Sequence, residues 1–313
     1  MHTKRIGYIK KMNHNYSIYR LHSKIDGLSK YVNLKKIIEG EKNSPDQIRY
    51  YYKINDWAYR RYHSIDGFMH FRVSKNGVMT DEDVYHQPDA VYEYIKPGDV
   101  VVELGYGQGS NLLYLAHSCP ESRFMGFDLR AVKNLGLPAN VELFEQDYSS
   151  LPQVADASVS VVFAFETIVY CSDKEKVFRE IFRILKPGGV MIVYDYALKE
   201  SFETFDYYGQ TVISLISKGG ACSMIESLED MNAHFTNSGL TLERVTDYTQ
   251  NLLPDLRRLE RKANKILSRP WLTRLVFGCL PTIFTNNIII GWLGYDSCKT
   301  GLGLYKEWVV RKP

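Results

Sequence analysis

The stretch VVVELGYGQGSNLLYLA, residues 100–116, sets the fold of this chain. Its valines, ending at Glu103, have the composition of a strand buried on both faces, and the segment after Gly109 is apolar and helix-like. Between them stand Gly105, Gly107 and Gly109. Glycine is needed there because the turn bends tightly and lets a ligand approach the main chain. This is the strand–turn–helix logic of dinucleotide sites with two departures: the spacing is G-x-G-x-G, and the strand ends in a carboxylate. A carboxylate repels a pyrophosphate. It suits a ligand carrying an ammonium group or ribose hydroxyls.

The segments downstream repeat the pattern. RFMGFD, residues 123–128, predicts a second strand whose closing Asp128 lies nineteen residues after Gly109, where a carboxylate meets a ribose diol. VELFEQD, residues 141–147, predicts a third strand, and Asp147 at its end suits the amino group of an adenine. A fourth strand is expected over 158–167 (SVSVVFAFET) and a helix over 178–186, stopped by Pro187, Gly188 and Gly189. The fifth strand is VMIVYDY, residues 190–196. Residues 198–228 read as helical, and 231–239 as a helix closed by Gly239. The sixth strand is expected over 240–248, a long insertion over 252–293 and the last strand over 304–310. Consecutive acids at strand ends place a nucleotide-type site along one edge of a parallel sheet.

The glycine stretch, Asp128, Asp147 and the Leu185-to-Gly189 turn (LKPGG) resemble the class I S-adenosylmethionine (SAM)-dependent methyltransferases over about residues 85–250. The resemblance implies an α/β, Rossmann-like fold: a seven-stranded, mostly parallel sheet with helices on both faces. It implies SAM as cofactor, held by Glu103, Gly105, Gly107, Gln108, Gly109, Asp128, Leu129, Asp147, Tyr148 and Phe165. It says nothing of the acceptor. To the core the sequence adds an N-terminal helical lid, residues 1–84, and within the core region 85–313 two helical caps at about 198–230 and 252–300.

Whole-chain properties bound the rest. A length of 313 residues exceeds one minimal core and favours one domain with additions. A net charge of +3 gives no general argument for nucleic acid. The five cysteines are scattered without a C-x-x-C pair, which points to a reducing, cytoplasmic setting and no zinc site. The first residues, MHTKRIGYIKK, lack the apolar core of a signal peptide, and the apolar stretch near Ile288–Trp292 is too short to span a bilayer. A homo-oligomer stays open.

Residues 1–36 carry nine Lys and Arg against the single acid Asp26, with apolar residues at helical spacing. Two readings stand: a solvated arm covering the core, or a lid whose basic face attracts an anionic substrate. GEKNSP, residues 40–45, predicts a hinge. In QIRYYYKINDWAYRRYHSIDGFMHF, residues 47–71, aromatic residues surround the whole expected helix, so some face something other than the core, either a pocket or packing on the sheet.

Tyr51, Tyr52, Asp56, Tyr59 and the His70-Phe71 pair resemble the signature of sterol C24-methyltransferases and their relatives, as do Phe165-Glu166-Thr167 and Tyr194-Asp195-Tyr196, over about residues 50–200. The sequence departs where the family's His-Ala becomes Tyr170-Cys171 and where Tyr62-His63 replaces a Trp-Gly. This resemblance implies methyl transfer to an alkene, which leaves a carbocation that must be stabilised and then deprotonated. Aromatic faces stabilise a desolvated cation by roughly 0.5–2 kcal/mol each without being methylated. Tyr51, Tyr52, Trp57, Tyr170, Tyr194, Tyr196, Tyr207 and Tyr208 are candidates for that lining, with Trp57, Tyr170 and Tyr196 against the substrate. Glu166, Asp195 and His70 are candidate bases.

Within the insertion, Arg257, Arg258, Arg261, Lys262, Lys265 and Arg269 oppose only Asp255 and Glu260. A solvated helix face and a diphosphate anchor, with Arg257 and Arg258 as its forks, both account for that run. In size and layout the chain is similar to bacterial terpene methyltransferases that act on farnesyl diphosphate, including the sodorifen-type enzymes that also cyclise it. That resemblance implies an isoprenoid acceptor and a prenyl diphosphate before a sterol. No aspartate-rich magnesium run is evident. A small-molecule O- or N-methyltransferase shares every cofactor motif and remains the alternative.

Overall fold

The computed structural model describes residues 17–39, 44–59, 61, 66–132 and 136–313. The expected hinge at 40–45 and the Tyr62-His63 departure fall largely outside them.

Seven strands form one sheet in the order β3-β2-β1-β4-β5-β7-β6. They are β1 (Val100–Leu104), β2 (Arg123–Asp128), β3 (Val141–Glu145), β4 (Val159–Phe165), β5 (Leu185–Leu198), β6 (Thr241–Asp247) and β7 (Gly303–Arg311). The first five run parallel, and β7 inserts antiparallel between β5 and β6. The seven-stranded Rossmann-like fold expected from the sequence is the fold observed.

The two faces follow from strand alternation. Val102, Leu104, Met125, Phe127 and Trp308 face one way, onto Phe178 and Ile181 of α6 (Lys174–Ile184) and Phe235 of α8 (Leu228–Asn237). Val101, Phe124, Phe163 and Val309 face the other way, onto Leu112 and Leu115 of α5 (Ser110–Ser118) and Val91 of α4 (His86–Tyr92).

A third core lies outside the sheet. Leu21, Ile25 and Leu28 of α1 (residues 17–29) bury themselves with Ile37 of α2 (Leu34–Ile38), Val212 and Leu215 of α7 (Tyr207–Gly219), and Ile289 and Leu293 of α11 (Thr282–Thr300). Each such side chain contributes roughly 1.5–3 kcal/mol on burial. Beside them Arg20 meets Asp296 at 2.7 Å, and Lys24 meets Glu260 and Asp296 at 2.6 Å each. Described residues of the basic arm therefore spend charge on α9 (Thr249–Leu267) and α11 rather than presenting it all to solvent. The helix α3 (Pro45–Ala58) is started by a Ser44–Gln47 capping box and also touches α11. Lid and C-terminal insertion thus share one cap.

Several boundaries differ from expectation. The helix expected within residues 47–71 is α3, which runs Pro45–Ala58. The helix at 178–186 begins at Lys174, where Asp173 caps it by accepting the Lys176 N–H. β5 begins at Leu185 because the LKPGG turn itself pairs with β4 at Val159. Only Tyr207–Gly219 of the 198–228 stretch is an α-helix, and the insertion resolves into α9, α10 (Pro270–Cys279) and α11.

Candidate active site

A cavity of about 870 Å³ opens at the carboxyl ends of β1, β2 and β4, between the sheet and the cap. Gly105 and Gly107 form its floor at φ +70° and +55°, backbone that L-residues rarely adopt. A Cβ on Gly105 would stand 2.2 Å from Thr167 Oγ1, and one on Gly107 3.0 Å from Met69 Cγ. The cradle is shaped for close approach to the main chain. Gly109, at φ +84°, caps α5 and lies outside the lining.

Asp128 lines the cavity and accepts the Gly107 N–H at 2.9 Å and the Arg130 N–H at 3.0 Å. Burial raises its pKa, which those bonds oppose. Gln108, Leu129, Tyr148 and Phe165 also line it. Tyr148 donates to the Thr167 carbonyl at 2.9 Å, and Gln108 donates to Asp56 at 3.0 Å. A Cβ-free cradle beside a fixed carboxylate fits the ribose and amino-acid portions of SAM.

Besides Gly109, two more cofactor candidates stand elsewhere. Glu103 is 1% exposed, does not reach the cavity and accepts the Asn111 side-chain N–H at 3.1 Å. Burial pushes its pKa up to about 8, so near neutrality it is largely a neutral structural group rather than a partner for an ammonium. Asp147 is exposed at the end of β3, accepts the Ser149 N–H at 2.8 Å and is not part of the lining.

The candidate bases separate in the same way. Glu166 lines the cavity at φ +53°, a left-handed conformation costing roughly 1–3 kcal/mol and typical of constrained sites. Its carboxyl accepts the Phe71 N–H at 2.7 Å, the Tyr196 hydroxyl at 2.8 Å and the Tyr305 hydroxyl at 3.0 Å. Burial nonetheless raises its pKa to about 8. Asp195 instead faces inward, accepting the Val169 and Tyr196 N–H groups at 2.9 and 2.8 Å, and fixes the turn Ile168–Tyr170. His70 is buried with Nδ1 3.1 Å from the Phe71 carbonyl and Nε2 2.9 Å from Asn111, and burial lowers its pKa. Neither lines the cavity, so each serves as a structural bond-former.

Rings form the inner wall. Tyr51, Tyr52, Tyr59, Tyr170 and Tyr196 all line the cavity, and Trp57 stands at its border, 62% exposed. Tyr52 donates to Tyr170 at 2.8 Å, while Tyr51 reaches Asn287 at 2.5 Å and Tyr59 at 3.0 Å. These bonds fix the rings in mixed edge and tilted poses. Tyr194 does not contribute: it is fully buried and donates to Glu307 at 2.8 Å. Tyr207 and Tyr208 lie outside the lining, Tyr207 73% exposed and Tyr208 bonded to Asp26. The outer wall is aliphatic, with Ile213, Leu256, Leu259, Ile266 and Ile288.

Arg257 and Arg258 are not in that wall. Arg257 pairs with Glu260 and lies over the Tyr295 ring at 4.7 Å, and Arg258 donates to Asp255 at 2.5 Å. Their carboxylates sit on the same helix, three residues away, and claim them. Lys262 and Lys265, further along α9, do line the cavity. Burial and the neighbouring Arg258 lower the Lys262 pKa to about 8.

Sequence reading missed Tyr305 and Asn287, which hold Glu166 and Tyr51 from 139 and 236 residues away. No local pattern announces such partners. Among the described residues no group of three His, Cys, Asp or Glu side chains could hold a metal ion.

Residues 102–193 match the family model described as a methyltransferase domain. The chain is 27% identical over 206 residues to phosphoethanolamine N-methyltransferase 1 of Arabidopsis thaliana, covering 63% of this chain and 39% of that protein. It is 24% identical over 205 residues to 24-methylenesterol C-methyltransferase 2 of the same organism, covering 63% and 52%. The chain thus spans about two fifths to one half of these relatives' length. Its fold matches that of geranyl diphosphate methyltransferase in complex with GPP and sinefungin, with a TM-score of 0.65 at 17% identity, covering 86% of this chain and 98% of that one.

Strand order and glycine cradle agree with the methyltransferase-domain match over residues 102–193, and the cradle fits SAM as the cofactor. The sequence relatives include sterol C-methyltransferases, and the structural neighbours include a prenyl diphosphate methyltransferase.

Proposed function

We propose that this protein is a C-methyltransferase acting on a carbon–carbon double bond of an isoprenoid, with a prenyl diphosphate such as farnesyl diphosphate as acceptor. The observation that carries the reading is the wall of hydrogen-bonded tyrosine rings closing around Glu166 at the strand ends. The names of the sterol C-methyltransferase relative and the geranyl diphosphate methyltransferase neighbour point the same way.

When bound, SAM supplies an electrophilic methyl group. The protein's share is to hold an alkene in line with it, at about 3 Å, and to keep water out. The aliphatic outer wall receives an isoprenoid tail, and Lys262 and Lys265 attract an anionic head. Addition of the methyl leaves a tertiary cation on the acceptor, which Tyr51, Tyr52, Tyr59, Tyr170 and Tyr196 stabilise through their faces. Glu166 then accepts the proton lost from the adjacent carbon. A pKa near 8 in the free protein keeps that carboxyl from being a permanent anion, and a cation beside it lowers the pKa and makes it a base. Cyclisation of the same cation is a second outcome that this wall permits.

Incubation with methyl-labelled SAM and a panel of prenyl diphosphates, sterols, phenols and phosphoethanolamine tests the reading. We expect label on an isoprenoid carbon, resistant to phosphatase and to acid. Label only on nitrogen or oxygen would overturn it.

A further inference from the structure

Helix α10 stands at the outer edge of the cap. Its inner side is committed, with Thr273 buried and Val276 lining the cavity together with Leu280 at the helix end. Its outer side is not what a solvated helix presents. Trp271 and Leu275 are 66% and 53% exposed, and Gly278 and Cys279 are exposed beside them. Positions 271, 275 and 278 follow i, i+4, i+7 spacing and fall on one stripe, where a helix facing water carries charge. Adjacent exposed aromatic and aliphatic side chains of this kind mark an interaction surface.

The margin of the stripe is cationic. From Arg261 to Tyr295 the chain has five Lys and Arg and no Asp or Glu. Of these, Lys265, Arg269 and Arg274 are exposed, and Arg274 lies 5.9 Å above the Tyr31 ring at the edge of the stripe. A second copy of this chain, docked face to face, would set these cations against one another. An anionic lipid surface matches both parts at once: indole and leucine enter the boundary between headgroups and acyl chains, and the cations meet lipid phosphates.

We propose that α10 docks this protein on an anionic phospholipid bilayer, lying in the plane of the interface. At ten residues it is far too short to cross, and no described helix is long and apolar enough to do so. Because the same helix supplies Val276 and Leu280 to the cavity, docking sets the cavity's outer wall beside the lipid. The docking does not depend on which acceptor the cavity takes.

Co-flotation of the full chain with phosphatidylcholine vesicles, with and without phosphatidylglycerol, tests this. We expect binding that requires phosphatidylglycerol, weakens with added salt and shifts tryptophan emission to the blue. Trp271→Ser with Leu275→Ser should weaken partitioning about tenfold or more, and Arg269→Glu with Arg274→Glu should remove the dependence on phosphatidylglycerol. SAM affinity by calorimetry should be unchanged in both, since these residues lie outside the cavity lining and unchanged affinity reports an intact fold. No binding to either vesicle, or binding that ignores both substitution pairs, would overturn the proposal. So would self-association of the wild-type chain that Trp271→Ser abolishes while vesicle binding is absent, which would give the face to a second copy.

Discussion

At the scale of single residues, the site rests on positions where one atom decides. A methyl at Gly105 would collide with Thr167 and would sit at φ +70°. Gly105→Ala should therefore lower SAM affinity by about tenfold or more, measured by calorimetry, with the fold retained by circular dichroism. Glu166 is argued to take the product proton, so Glu166→Gln should cut kcat about 10²- to 10⁴-fold while leaving SAM affinity nearly unchanged. Its pKa near 8 sets the sign of the pH dependence: in the wild type kcat/KM rises with pH up to about 8, and in Glu166→Gln that rise disappears. Lys262 has the opposite sign, because it loses its charge as pH passes about 8. With a prenyl diphosphate, Lys262→Gln should raise KM with little change in kcat, and an unaltered KM would move the anionic head elsewhere.

At the scale of elements, α1 is a clamp. Its Arg20 and Lys24 neutralise Glu260 of α9 and Asp296 of α11, whose side chains are 6% and 1% exposed. Both helices contribute cavity wall, so the clamp fixes the roof over the tyrosines. Breaking a buried pair from one side strands the other charge, at about 3–5 kcal/mol. Because Arg20 still faces both carboxylates, Lys24→Met should lower stability to urea by less than that, about 1–2 kcal/mol, whereas Lys35→Met, at a 79% exposed side chain 3.6 Å from Glu39, should change it by less than about 0.5 kcal/mol. Equal effects would remove α1 from the cap's support.

At the scale of the whole molecule, stability follows the buried carboxyls. Glu103 and Glu166 both have folded pKa values near 8, raised from 4.5 by burial. A raised carboxyl pKa means that the folded state holds protons that the unfolded chain has released, so stability is lost as pH rises from about 4.5 to about 8. His70, with its pKa lowered from 6.5, withdraws stability in the other direction as pH falls below that value. The cleanest window is therefore between 6.5 and 8. There the melting temperature of the cofactor-free protein should fall with pH, and Glu103→Gln should flatten the fall. A melting temperature that rises across this window would contradict the burial of both groups.

The sequence by itself determined the sheet, the glycine cradle and the cofactor class, because these depend on short-range rules. Valine runs make buried strands, glycine alone tolerates the turn at 105 and 107, and Asp128 sits at the end of its own strand. Tertiary structure decided which charged and aromatic residues face the ligand. Glu103 and Glu166 are both acids at or just past a strand end, yet one closes on Asn111 inside the core and the other opens on the cavity among three donors. Tyr194 and Tyr196 share β5 and its face, yet the first is locked to Glu307 and the second reaches Glu166. The basic run of α9 divides likewise, its first two arginines held by Glu260 and Asp255 and its lysines lining the cavity. Side-chain chemistry is written in the sequence, but direction depends on which partner each side chain meets, from three residues away for Arg257 to 139 for Glu166 and Tyr305, and only the closed fold selects among them.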